Sequence, residues 1–155
     1  MDQNLLRAYL GTVYELPSPD GVIRASLDGE VVRDLSDLPG LLQQRFALLT
    51  AYNPRSMLLP RKVNEQRHQV MRELLILGCY RVEQCVGYED EPEVSWREPA
   101  WLVHNIERQE AMDFGRTFRQ NSIVYCEDGK SELIVTDPTC DALGRSYVGH
   151  WRLRK

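Results

Sequence analysis

Two short stretches carry most of the side chains able to do chemistry. Asn53-Pro54-Arg55-Ser56 ends an apolar run, and Trp96-x-Glu98 follows an acidic loop. Arg55 presents a planar fork suited to a carboxylate or phosphate, and a helix beginning near Asn64 favours an anion through its unsatisfied N–H groups. Trp96 is an aromatic platform two residues from a carboxylate, and in extended chain both side chains point the same way. Such a pair suits the stacking of a planar ligand while Glu98 accepts its hydrogen bonds or moves a proton. Each feature also has a plainer reading. Asn53 and Ser56 can simply hold the turn through side-chain to backbone bonds. Arg55 can be a solvated charge, and Trp96 can cover the core beside a Glu98 paired with Arg55 or Arg67. Pro54 fixes its own φ and pushes Asn53 toward an extended conformation.

Other chemistry has less support. His68, His104 and His150 have no ligand spacing with one another, so no metal is expected. Cys79, Cys85, Cys126 and Cys140 contain no CxxC pair and read as free thiols of a reducing compartment. No Cys–His nucleophile is indicated, and a P-loop and a GxGxxG are absent. No cofactor is implied. Glu89-Asp90-Glu91-Pro92-Glu93 reads as a solvated loop without the regular spacing of a cation site.

Composition sets the frame for these residues. With 155 residues, 43% of them hydrophobic and 27% charged, the chain reads as one globular domain, 1–155. A net charge of −4 argues against a general nucleic-acid surface, which needs a basic patch. The tail Arg152-Leu153-Arg154-Lys155 is a weak footprint and reads as solvated or frayed. No apolar stretch approaches the roughly 20 residues of a membrane span. The N-terminus lacks a signal peptide's basic start and long apolar core, so a cytoplasmic protein is expected. Oligomeric state is not legible.

The elements that must position the candidate residues are α+β. Alternation over Leu5 to Leu16 predicts a strand, and Asp28-Gly29 between Val22–Leu27 and Glu30–Val32 predicts a hairpin. Residues 1–40 thus form a β-rich N-terminal extension carrying a β-hairpin. Ser36 to Gln44 is a short helix or an irregular connector. Phe46 to Tyr52 is a buried strand, followed by a Pro-bounded loop to Pro60. Arg61 to Leu77 is a helix with Val63, Val70, Leu74 and Leu77 on one face and Gly78 as its stop. Tyr80 to Tyr88 alternates as a half-buried strand, and Pro99 to His104 is a second continuous apolar run. Asn105 caps a helix over Ile106 to Arg119, with Ala111, Phe114 and Phe118 along its stripe. Ser122–Glu127 and Lys130–Val135 form a hairpin around Asp128-Gly129, the latter an extra C-terminal strand. Residues 137–155 read as a polar tail with no assigned structure.

From Phe46 the order is βαββαβ, which predicts a ferredoxin-like split βαβ core over 45–136. Chain direction then brings Asn53, Arg55, Ser56, Asn64, Trp96, Glu98 and Gln120 to one rim, and His104 and Asn105 to the opposite one.

At these residues the chain resembles the bacterial domain-of-unknown-function 3293 family. The resemblance rests on Thr50-Ala51-x-Asn53-Pro54-x-Ser56, with Asn64 and Arg67 opening the helix. It continues through Gly78, Gly87, Trp96-x-Glu98, Val103, Ala111, Phe118 and Gln120. It spans roughly Leu5 to Val135, with Tyr9, Thr12 and Tyr14 echoing the family's opening strand. The acidic stretch Glu89–Glu93 departs from the Gly-rich loop usual in the family. The resemblance implies positions and no chemistry.

Three functions are compatible with these residues. The first is a small anionic or planar ligand bound at a polar rim of Asn53, Arg55, Ser56, Asn64, Arg67, Trp96, Glu98 and Gln120. The second is a protein-interaction module using an exposed sheet edge or the tail, which predicts an exposed apolar patch. The third is an enzyme with Glu98 as general acid or base, which requires a second titratable group beside it.

Overall fold

The structure, a computed structural model, describes residues 2–89 and 97–155. Trp96 and the acidic residues Asp90 to Glu93 lie outside the described residues. The chain is α+β: among the described residues nine strands form one antiparallel sheet, with three α-helices.

The N-terminal segment departs from the predicted strand. Gln3–Leu10 is a helix, α1, capped by the Asp2 carboxylate, which accepts from Asn4 N–H at 2.8 Å. Leu6, Tyr9 and Leu10 fit helical spacing as well as Leu6, Ala8 and Leu10 fit alternation, and the cap decides between them. Strand β1, Val13–Leu16, pairs with β2, Ile23–Ser26, across the Pro-rich turn. The hairpin expected at Asp28-Gly29 does not form. Gly29 instead lies against the C-terminal segment, where a Cβ would stand 2.8 Å from the His150 carbonyl oxygen. Ser36 to Gln44 becomes two 3₁₀ turns, Leu35–Asp37 and Gly40–Gln43.

The central strands are β3 (Phe46–Leu49), β4 (Val82–Tyr88), β5 (Arg97–His104) and β6 (Ser122–Glu127). They stand in the spatial order β6-β3-β5-β4. The helices between them are α2 (Arg61–Leu77) and α3 (Arg108–Thr117). Strand β7 (Lys130–Val135) completes the predicted hairpin with β6 in the register Glu127↔Lys130.

Two assignments within the helices are corrected. On α2 the buried residues are Asn64, His68, Met71 and Leu75, while Val63, Val70, Leu74 and Leu77 are exposed. The buried face carries two polar side chains, so a hydrophobicity pattern selects its neighbour. Asn105 does not cap α3. It takes a left-handed conformation (φ 56°), and its Oδ1 accepts from Arg45 Nε at 3.0 Å.

Residues 137–155 are not a tail. They supply β8 (Ser146–Gly149) and β9 (Arg152–Leu153), which stand at opposite ends of the order β8-β7-β6-β3-β5-β4-β1-β2-β9. Only His150 and Trp151 separate them, so the two ends of the sheet lie within about 10 Å of chain. The sheet therefore curls almost onto itself. His150 N–H donates to the Leu27 carbonyl at 3.1 Å, and Trp151 packs on Phe46 inside the curl. The basic residues read as frayed are held: Arg152 pairs with Asp28 at 2.9 Å, and Arg154 Nε donates to Ser26 Oγ at 3.1 Å.

Alternation along each strand divides the core in two. Phe46, Leu48, Leu102, Val124, Leu133 and Trp151 fill the inside of the curl. Ala47, Leu49, Trp101, Val103, Ile123 and Tyr125 face outward, under Met71 and Leu75 of α2 and Ala111 and Met112 of α3. No helix among the described residues is long and apolar enough to cross a membrane.

Candidate functional site

Along β5, Glu98 has the phase of Ala100 and Leu102, so its side chain enters the curl rather than facing the helices. Thr50 continues the inward phase of Phe46 and Leu48, and Ser122 has the phase of Val124. Tyr14 has the phase of Leu16. Where these polar residues replace apolar ones, the packed interior gives way to a cavity of about 550 Å³. Leu48, Ala100, Val124 and Leu133 line its apolar wall. Helix α1, none of whose residues is buried, contributes Leu5, Ala8 and Tyr9.

Burial pushes the Glu98 carboxyl up to about 7, and hydrogen bonds with Thr50 and Asn53 pull it back only in part. The partners can serve either charge state. Asn53 Oδ1 already accepts from Leu59 N–H at 3.1 Å and Asn64 Nδ2 at 2.8 Å, so its Nδ2 is the atom left to donate to Glu98. Thr50 Oγ1 accepts from Tyr52 N–H at 3.1 Å and lies 2.9 Å from the Pro99 carbonyl. When the single Thr50 proton goes to Pro99, the neutral acid donates to Thr50. When Glu98 ionises, the hydroxyl turns to it.

Tyr14, Gly87 and Glu98 form a row across β1, β4 and β5. Gly87 has no side chain to separate its neighbours, and a Cβ there would stand 3.2 Å from the Tyr14 ring. Burial first, then the Cys85 thiol and the Glu98 carboxyl, hold the Tyr14 hydroxyl well above the usual tyrosine range. That hydroxyl makes no hydrogen bond among the described residues.

The other candidate residues surround this cavity or brace it from behind. Asn53, Ser56 and Gln120 line it. Asn53 is left-handed (φ 45°, ψ 63°) rather than extended, a conformation asparagine tolerates and the Asn64 side chain holds. Ser56 Oγ accepts from Asn121 Nδ2 at 2.9 Å, and the same nitrogen reaches the Tyr9 hydroxyl at 2.8 Å. Gln120 Nε2 donates to the Tyr52 carbonyl at 3.1 Å.

Asn64 and the two arginines lie outside the cavity lining. Arg67 donates to the carbonyls of Ala51 at 2.8 Å and Phe118 at 2.6 Å. Arg55 donates to the Gln120 carbonyl and stands 3.4 Å from Asp137. Neither pairs with Glu98. They tie the Asn-Pro-x-Ser turn and the Gln120 loop to the ends of the sheet and helices. Arg97 is the cation lining the cavity, and it is paired with Glu15 and packed over the Tyr88 ring.

Tyr14 and Thr50 were absent from the candidate site, although both stand among the residues carrying the family resemblance. Their inward phase was readable as alternation with Leu16 and Leu48. What the sequence lacked was the curl that makes that side an interior. Among the described residues no group of three or more His, Cys, Asp or Glu is placed to hold a metal.

Residues 49–123 match a family model described as Protein of unknown function (DUF3293). The match covers just under half of the chain, and over that stretch the chain is similar to this family. The DUF3293 match runs from the end of β3 into β6, so it includes Asn53, Asn64, Glu98 and Gln120. It excludes β1 with Tyr14 and the C-terminal strands that close the curl. Searches of curated proteins and of solved structures returned no match.

Proposed function

We propose that this protein binds a small planar, largely apolar molecule in the cavity inside the curled sheet. The observation that carries the reading is a half-buried carboxyl, Glu98, whose phase on β5 turns it into a largely apolar space of about 550 Å³, with Glu89 also on the lining. Cavities of a few hundred Å³ with few convergent polar groups are the usual form of small-molecule sites. Glu98, the Asn53 amide and the Tyr14 hydroxyl would orient the polar end of the ligand. Of the planar and anionic ligands expected from the rim, the planar one has the better support. Arg55 and Arg67 are turned to backbone carbonyls, and a second negative charge beside Glu98 is unfavourable.

A thermal-shift and NMR screen tests this, comparing planar heteroaromatic and carbonyl fragments with nucleotides, sugar phosphates and carboxylates. Ala8→Trp fills the cavity from the exposed helix α1, and Glu98→Gln removes its charge. Hits among the planar fragments that weaken in both variants support the site; hits insensitive to both count against it.

A second reading, a protein-interaction module, draws on the exposed apolar residues of α2. Val70, Leu74 and Leu77 are 48%, 41% and 79% exposed on one helix. Sedimentation of the wild type against Leu74→Lys/Leu77→Lys tests self-association through that face. As for architecture, the order β6-β3-β5-β4 with α2 and α3 on one face supports reading these elements as a ferredoxin-like split βαβ unit. The flanking strands would then be additions that close it.

A further inference from the structure

We propose that the cavity is a proton-transfer site, in which Glu98 moves a proton between two carbons of an enolisable carbonyl compound while the Tyr14 hydroxyl holds the carbonyl oxygen. This rests on the small-molecule reading above and adds a reaction to it.

The geometry supplies both partners such a step needs. Tyr14 and Glu98 stand two strands apart in one register row, both facing inward, with the bare Gly87 between them. The missing side chain makes room for the Tyr14 ring, which lies over Gly87 and is directed across the row from Glu98, and Leu48, Ala100 and Val124 line the cavity beside them. Glu98 has a Thr50 hydroxyl and an Asn53 amide behind it that adapt to its proton being present or absent. Tyr14 has no hydrogen-bond acceptor among the described residues, so its proton is available to a ligand oxygen. An apolar site with a base near neutrality and a neutral donor is the arrangement that enolisation requires. Nothing in the step calls for a metal, a nucleophile or a redox partner.

The step balances within the substrate. Glu98 removes a proton from the carbon beside the carbonyl, and the C–H electron pair becomes the C=C bond of an enolate. The Tyr14 O–H donates a hydrogen bond to the oxygen where charge collects. The acid formed at Glu98 trades its proton with solvent and delivers one to the same carbon, giving exchange, or passes its proton to the γ-carbon of a β,γ-unsaturated ketone, giving the conjugated isomer. The implied substrate class is a compact, mostly apolar ketone or unsaturated ketone. An acidic metabolite would meet Glu98 with like charge.

The test uses the full chain and two probes. Deuterium uptake by 2-tetralone in D₂O is followed by mass spectrometry, and conversion of 3-cyclohexen-1-one to its conjugated isomer is followed by ultraviolet absorbance. The expected result is exchange or isomerisation above buffer. It should fall by about 10²–10⁴-fold in Glu98→Gln and by about 10²-fold in Tyr14→Phe, with both variants retaining a cooperative melt. The rate should rise with pH through the Glu98 titration. The other titratable and charged groups facing the site are Tyr9, Cys85, Cys126, Glu89 and Arg97, and burial holds the two thiols above their ordinary range. Binding of the same ketones is measured by NMR in parallel. Ketones that bind without exchange, or exchange equal in wild type and Glu98→Gln, overturn the proton-transfer proposal and leave the pocket standing. Absence of binding by ketones and by every other fragment overturns both.

Discussion

Asn53 and Asn64 hold each other through two hydrogen bonds. The Asn64 Oδ1 accepts from the Asn53 backbone N–H at 2.9 Å, and the Asn64 Nδ2 donates to the Asn53 Oδ1 at 2.8 Å. Asn64 is 4% exposed, so neither bond is replaced by water when it is removed. The pair holds a left-handed residue beside a proline and sets the amide that faces Glu98. Asn64→Leu leaves the Asn53 N–H unmatched and the Asn53 Oδ1 with Leu59 N–H alone, at a cost of about 1–3 kcal/mol. Urea unfolding should register that loss, and the Asn53 amide resonances should broaden or shift. A variant as stable as the wild type would mean the turn is held by other contacts.

Glu98 makes stability depend on pH in a definite direction. Its carboxyl is raised from the ordinary 4.5 to about 7, so between those values the folded chain binds more protons than the unfolded one. The contribution is therefore fully present below about pH 4.5 and is lost as pH rises through 7. Glu98→Gln mimics the neutral acid at every pH. Relative to the wild type it should gain up to about 3 kcal/mol above pH 8, less whatever water screens at a half-buried residue. The two chains should converge near pH 4.5. Melting curves across this range measure the difference; a constant offset would mean Glu98 titrates normally.

His68 acts in the opposite sense. Its ring stacks on Trp101 at 4.1 Å, its Nδ1 has no partner among the described residues, and burial lowers its pKa to about 4. Between pH 6.5 and 4 the unfolded chain takes up the proton first, so stability falls as pH drops through that window. His68→Phe keeps an aromatic ring on Trp101 and removes the titration. It should lie within about 1.5 kcal/mol of the wild type at pH 7.5 and lose less stability at pH 4.5. Because Glu98 and His68 oppose each other, the wild-type profile should be flatter over pH 4.5–6.5 than that of either variant.

Trp151 closes the sheet. It is 4% exposed, packs 6.4 Å from Phe46 by ring centroids, and sits in the two-residue link between the sheet's two ends. Trp151→Ala should cost about 3–5 kcal/mol. Hydrogen exchange should accelerate in β2, β8 and β9 before it does in β3 and β5. Uniform acceleration would mean the link is no weaker than the rest.

Local chemistry made several elements legible. Pro60 and Gly78 bracket α2 end to end, and Asp128-Gly129 sets the β6–β7 register, because each signal acts within a few residues of itself. The continuous apolar runs of Phe46–Leu49 and Pro99–His104 marked strands covered on both faces. Chain direction then brought Asn53, Ser56, Glu98 and Gln120 to one cavity.

What tertiary structure alone decided was which side of those strands is an interior. Alternation distinguishes two faces but does not say what covers them. Here α2 and α3 cover one, and a segment about 100 residues downstream of β3 curls the sheet over the other. The same distance hid the short strands β8 and β9, whose register comes from borrowed partners rather than from their own pattern. It also gave Asp28-Gly29 to His150 instead of to a hairpin. The site is the result: Tyr14 and Glu98, 84 residues apart in the sequence, share one register row with the bare Gly87 between them.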